Sequence, residues 1–318
     1  MLDLPKSVTV VEVAPRDGLQ SFDRAVDTAT KIAVTDRLSE AGFGVIEVTG
    51  FAHPRVIPNL ADAEAVAHGI TRRPHTVYRG LVPNARGAER AKSTPLDELV
   101  GLITVSETYL AKNQNMKRAE AVEEAIAAFR IAERAGKSFV MALGMSMWCP
   151  YEGVIPVEST LALLKQFRNA GMRSFYLAGS LGLEEPKQVY ELFQAARRAF
   201  PDIELGYHVH NVSGHAPANI LAAIAGGATF VEGAICGIGG GIMMPTTLGS
   251  VGNYPTEDLV ALLEASGVTT GLDRDAVIDA ARDVAALLAI TPRSHAANGG
   301  TRSAVAEAAL RNPRSHPA

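Results

Sequence analysis

SFYLAGSLGLEEPKQVYELFQAARRAFPDIELGYHVH, residues 174–210, is the stretch from which the fold can be read. It opens on a short apolar run, 174–180. In the longer stretch 186–200, Val189, Leu192, Phe193 and Ala196 recur at three- and four-residue intervals behind Pro186. This is one face of a helix with proline in its first turn. A second apolar run, 204–210, ends in His208 and His210. Strand, helix and strand in this order form a parallel crossover unit. Working outward, strand-like runs stand at 8–14, 45–51, 76–82, 99–106, 138–146 and 229–235, making eight in all. Helical patterns follow them at 28–42, 59–70, 84–93, 118–136, 157–171, 216–227 and 256–267. Eight strand–helix units predict an α/β fold that closes as a (β/α)8 TIM barrel. An open doubly wound sheet is the alternative, but no Gly-x-Gly-x-x-Gly follows the first strand to support a dinucleotide site. An extra helix at 273–290 ends the domain, taken as 1–290. Residues 291–318 are expected to be a flexible tail with one short helix near 304–311.

Composition narrows the function. The chain has 318 residues, 47% hydrophobic and 20% charged, with a formal net charge of −4. Nothing in that balance favours nucleic acid as a partner. No run approaches the roughly 20 apolar residues of a membrane span, and no signal-peptide pattern opens the chain. The two cysteines, Cys149 and Cys236, make no disulfide framework and fit a reducing cytoplasm.

In such barrels the C-terminal strand ends line the active site. Arg16, Asp17 and Gln20 stand there after strand 1, Glu47 and Thr49 in strand 2, Ser106 after strand 4, and His208 and His210 in strand 7. Residues two apart in a strand point the same way, so both imidazoles can reach one cation. Asp17 offers a hard oxygen, and Asn253, after strand 8, a neutral one. Two imidazoles and two oxygens suit Mg²⁺ or Mn²⁺ first, with Co²⁺ or Zn²⁺ as further candidates. The plain reading of Arg16-Asp17 is a solvated turn.

The stretches VVEVAPRDGLQ, EAGFGVIEVTGFAHPRVIPNLAD, SETYLAKNQN, CPYEG, YHVHNVSGHAPANILAAIAGGA and GNYPTEDLV resemble, in order and spacing, the hydroxymethylglutaryl-CoA lyase family. That family lies within a metal-dependent barrel superfamily that also holds isopropylmalate synthase. The resemblance implies Asp17, His208, His210 and Asn253 as metal ligands and Arg16 as the group that holds a thioester carbonyl and its enolate. It further implies Glu47 as a strand-borne acid, and His208 is taken as the base. Gln20, Thr49, Ser106 and Asn113 are expected to line the substrate, an acyl-CoA thioester. A homodimer is the family expectation.

Two positions depart from the family pattern. The lyases carry an aspartate at the end of strand 6, where this chain has Gly179 and Ser180. They also carry a cysteine in the glycine-rich loop after strand 8, where this chain has Gly241 followed by Met243 and Met244. Neither Cys149 nor Cys236 replaces that cysteine simply. The expected activity is carbon–carbon lysis of a 3-hydroxyacyl-CoA or related 3-hydroxy acid. Hydroxymethylglutaryl-CoA itself is expected to be a poor substrate, and one with a larger apolar group a better one. Water, Tyr207 or a loop residue remains open as proton donor. The competing readings are a condensing synthase and a barrel that keeps its metal with little catalysis.

Overall fold

The computed structural model describes residues 3–240 and 252–311. Eight parallel strands close a barrel in which each pairs with the next along the chain and the last pairs with the first. They are β1 (Thr9–Glu12), β2 (Val45–Gly50), β3 (Val77–Val82), β4 (Glu98–Thr104), β5 (Ser138–Gly144), β6 (Ser174–Gly179), β7 (Glu204–Val209) and β8 (Phe230–Gly233). The outer helices are α1 (Thr28–Glu40), α2 (Ala63–Gly69), α3 (Ala85–Ala91), α4 (Arg118–Arg134), α5 (Val157–Asn169), α6 (Pro186–Ala199), α7 (Ala216–Gly226) and α8 (Thr256–Ala265). The expected barrel is therefore the observed one. Buried Val189, Leu192, Phe193 and Ala196 seat α6 on the sheet, the stripe its spacing predicts. A Cβ at Gly206 would stand 2.0 Å from the Phe230 ring, so only glycine lets β7 pass that ring.

Some boundaries shift for identifiable reasons. β1 stops at Glu12 because the chain curls into a wide turn over Ala14–Gly18, with the Asp17 amide on the Val13 carbonyl at 2.7 Å. Glu12 Oε1 accepts the Ala14 amide at 2.8 Å and the Ile235 amide at 3.0 Å, clamping that turn to the exit of β8. Burial pushes the Glu12 carboxyl up to about 8. The helix expected at 59–70 divides into a short turn, Pro58–Leu60, and α2. A helix at Glu107–Gln114 and a hairpin pairing Trp148–Cys149 with Gly153–Val154 were not anticipated from periodicity, being too short to show it.

The C-terminal segment departs from the expected free tail. The extra helix appears, as Arg274–Leu287, and the chain stays docked beyond it. Asp258 accepts the His295 amide at 2.9 Å and the Ala296 amide at 2.7 Å, and buried Ser294 caps the short helix His295–Gly299. Arg302–Arg311 is helical and exposed throughout. Among the described residues, no helix is long and apolar enough to cross a membrane.

Candidate metal centre and active site

The wide turn after β1 and the end of β7 meet at the C-terminal mouth of the barrel. Asp17, His208 and His210 are buried there, with one ligand atom from each lying within 4.8 Å of the others. The two Nε2 atoms face each other at 3.1 Å, and Asp17 Oδ2 lies 3.6 Å from His210 Nε2. Asn253 arrives through a bridge between its backbone and that of His210. Its Nδ2 donates to Asp17 Oδ2 at 2.7 Å, while its buried Oδ1 has no hydrogen-bond partner among the described residues.

These residues fit a divalent cation. His208 Nδ1 lies 2.9 Å from Glu232 Oε2, so a proton on Nδ1 leaves the Nε2 lone pair facing the pocket. Two facing imidazole nitrogens, a carboxylate and an orphaned amide oxygen make a mixed N/O donor set for one ion. Burial opposes charge on Asp17, but Arg16 and then the His210 hydrogen bond hold its carboxyl well below the usual range. At neutral pH it is therefore an anionic ligand.

Arg16 is the second element. Its Nη1 lies 2.5 Å from Asp17 Oδ1 and its Nη2 2.8 Å from Glu47 Oε2, with all three side chains buried. The Arg16-Asp17 pair is thus not a solvated turn. Burial raises the Glu47 carboxyl, and Arg16 offsets part of that rise. Gln20, half-buried, donates to Asp17 Oδ1 at 3.3 Å. Thr49 is buried just past a bulge in β2, its hydroxyl without a hydrogen-bond partner among the described residues.

Beneath the pocket lies a layer of charge. Arg79 on β3 bridges Glu98 and Glu232, both at 3.0 Å, and Glu232 in turn holds His208. Buried pairs of this kind contribute little net stability, yet removing one partner costs about 3–5 kcal/mol because a charge is stranded. Their effect here is to orient His208. The His208 imidazolium is disfavoured by burial, but the Glu232 hydrogen bond and the Asp17 charge more than compensate and raise its pKa. Tyr176 completes this floor, its ring centroid 5.8 Å from that of His208.

Other candidates fall elsewhere. Ser106 is fully buried and caps the helix Glu107–Gln114: its Oγ accepts the Tyr109 amide and the Cys149 thiol, each at 3.0 Å. Its oxygen thus serves the local structure as a helix cap. Asn113 lies on that helix, and its side chain is outside the described residues, as are Gly241, Met243 and Met244. Tyr207 neighbours His208 and so faces the opposite way, its ring against Phe193 of α6. This removes it as a proton donor at the mouth. The Cys236 thiol donates to the Ala281 carbonyl at 3.1 Å, and burial pushes its pKa up, so it does not stand in for a loop thiol. Glu232, Arg79 and Tyr176 were missed from sequence. A charge in the middle of each of the runs TVYRGLV and TFVEGAI was the available signal.

The chain matches the HMGL-like family model over residues 7–284. It is 35% identical over 277 residues to mitochondrial hydroxymethylglutaryl-CoA lyase of Macaca fascicularis, covering 87% of this chain and 84% of that protein. Identity to a Bacillus subtilis hydroxymethylglutaryl-CoA lyase is 35% over 278 residues, covering 87% and 92%. The crystal structure of a Bacillus subtilis HMG-CoA lyase superposes with a TM-score of 0.88 at 33% identity, covering 93% of this chain and 98% of that one. An Acinetobacter baumannii HMG-CoA lyase, solved with coenzyme A and 3-methylmalate, gives 0.87 at 32% identity and 98% coverage of each chain. With a family match over most of its length, the same barrel and an Asp-His-His cluster at its mouth, the chain belongs to the HMGL-like family.

Proposed function

We propose that this chain is a divalent-metal-dependent carbon–carbon lyase that cleaves a 3-hydroxyacyl-CoA by a retro-aldol step. The observation that carries this reading is the direct contact between Arg16 and Asp17, which joins an oxyanion-binding group to a metal ligand in one buried site. The relatives named above are lyases of this kind, and one of them binds coenzyme A. Asp17, His208, His210 and Asn253 would hold the ion, Mg²⁺ or Mn²⁺ in preference to Co²⁺ or Zn²⁺. Such an ion lowers the pKa of a bound hydroxyl and neutralises adjacent negative charge.

The side chains divide the remaining work. Arg16, fixed between Asp17 and Glu47, presents guanidinium donors to the thioester oxygen, where charge grows as the carbon–carbon bond breaks. His208, with Nδ1 committed to Glu232, has Nε2 available to take the hydroxyl proton. Ligation and proton uptake draw on that same lone pair, so His208 performs one at a time. The bonding pair passes to the α-carbon as a thioester enolate, and the hydroxyl carbon becomes a carbonyl. With Tyr207 and Cys236 turned away, water or a residue of the loop protonates the enolate. We extend the reading to a cytoplasmic protein, in keeping with two free buried cysteines, and to a homodimer.

For the acyl group, the apolar sequence at Met243 and Met244, just past the position of the lyases' cysteine, supports a larger apolar substituent than that of hydroxymethylglutaryl-CoA. A panel of 3-hydroxyacyl-CoA thioesters, assayed with metal-loaded protein, separates the parts of the reading. The expected result is cleavage of at least one member, with hydroxymethylglutaryl-CoA at least about tenfold slower, the size of effect one or two methylenes can have. Turnover of hydroxymethylglutaryl-CoA on the order of 10 s⁻¹ would remove the altered specificity and leave the lyase. No cleavage of any member would remove both.

A further inference from the structure

Gly179 ends β6 beside the metal-binding strand, and its carbonyl accepts the His210 amide at 3.3 Å. The space that a side chain needs there is already filled. A Cβ at Gly179 would stand 2.8 Å from Glu184 Oε2 and 2.9 Å from the Tyr207 hydroxyl. Glu184 is fully buried in the loop between β6 and α6.

That loop is pressed onto the end of β7. Gly182, at φ +67°, packs so closely that a Cβ would lie 2.3 Å from the His210 carbonyl oxygen. Its own carbonyl accepts the Ser213 amide at 2.9 Å and the Ser213 hydroxyl at 2.6 Å. The Glu184 backbone carbonyl accepts Asn219 Nδ2, from α7, at 2.9 Å. The backbone carbonyls of Gly182 and Glu184 thus tie the loop to the strand end and to α7, with the Glu184 carboxyl buried inside the loop. Burial raises that carboxyl to about 7, and the amides of the loop offset only part of the rise.

We propose that Glu184 delivers from the loop the carboxyl group that β6 lacks at Gly179, and that it is a positioning residue. Through the clamped loop it holds the end of β7, and with it the directions of His208 and His210. A side chain at 179 would enter the volume that the Glu184 carboxyl fills, so the two positions compete for it. The departure at Gly179 is then a relocation of an acid and does not by itself mark a change of reaction.

The test is a reciprocal exchange: Gly179→Asp, Glu184→Gly and the double variant, with Glu184→Gln as the shape-conserving control. Calorimetric titration of metal-stripped protein with Mn²⁺ is the first readout, and kcat and KM for the best thioester of the panel the second. Only the second rests on the lyase reading, so the Mn²⁺ result stands even if no thioester is cleaved. Glu184→Gly should lower Mn²⁺ affinity and kcat by about 10- to 100-fold, with KM little changed. Glu184→Gln should keep most of the affinity. Gly179→Asp alone should lower both readouts or fail to fold, and the double variant should fold and recover most of the loss. Losses that simply add in the double variant, a double variant that does not fold, or wild-type affinity in Glu184→Gly would each overturn the proposal.

Discussion

Replacing Asp17 with alanine will abolish divalent-metal binding and turnover together. The carboxylate is the anionic member of a small donor set, buried and held ionised by Arg16. Removing it leaves two imidazoles and one amide oxygen, none of them charged, to compete with the hydration shell of the ion. It also strands part of the Arg16 charge, although Glu47 still holds the other guanidinium nitrogen at 2.8 Å. The fold should therefore survive, which circular dichroism of the purified variant will show. Elemental analysis is the deciding measurement: about one ion per chain in the wild type, and none above background in Asp17→Ala. Full occupancy in the variant would place the ion elsewhere.

Arg16→Lys will lower kcat by about 10²–10³-fold while changing KM little. Removing one preorganised oxyanion donor has an effect of this size, about 2.7–4 kcal/mol. Lysine keeps the charge but loses the planar fork. In the wild type that fork meets Asp17 with one nitrogen and Glu47 with another. A single ammonium cannot meet both carboxylates and also face a growing oxyanion. An interaction made only as charge develops affects kcat, whereas one made equally with bound substrate affects KM. Steady-state kinetics separate the two, and near-normal turnover in Arg16→Lys would reduce Arg16 to an ion-pair partner.

Much of this site could be read from sequence because its logic is local. The 3.6-residue stripe of α6 and the apolar runs on either side set the barrel, and a barrel gives meaning to strand ends. His208 and His210 share a face because they are two apart. Arg16 and Asp17 emerge together because β1 ends in a proline-containing turn. The rest depends on partners distant in sequence. Arg79 and Glu232 are 153 residues apart, and their contact across the barrel follows from closure, which no local window contains. Ser106 stands at a strand end, where a serine serves equally as a wall or as the cap of the next helix, and its capping role depends on the unexpected helix Glu107–Gln114. Tyr207 is a donor by residue type alone, and the alternation that pairs the histidines turns it away from them. The docked tail depends on Asp258, whose acceptance of two amides 37 and 38 residues ahead leaves no local signature.

Stripping the purified protein of metal and titrating it with Mn²⁺, while carbon–carbon cleavage of the best thioester is followed by release of the carbonyl fragment, tests the central claim most directly. The site described here predicts that cleavage is near zero in the stripped protein, rises with added Mn²⁺ and saturates at one ion per chain. Undiminished cleavage by the stripped protein would contradict it.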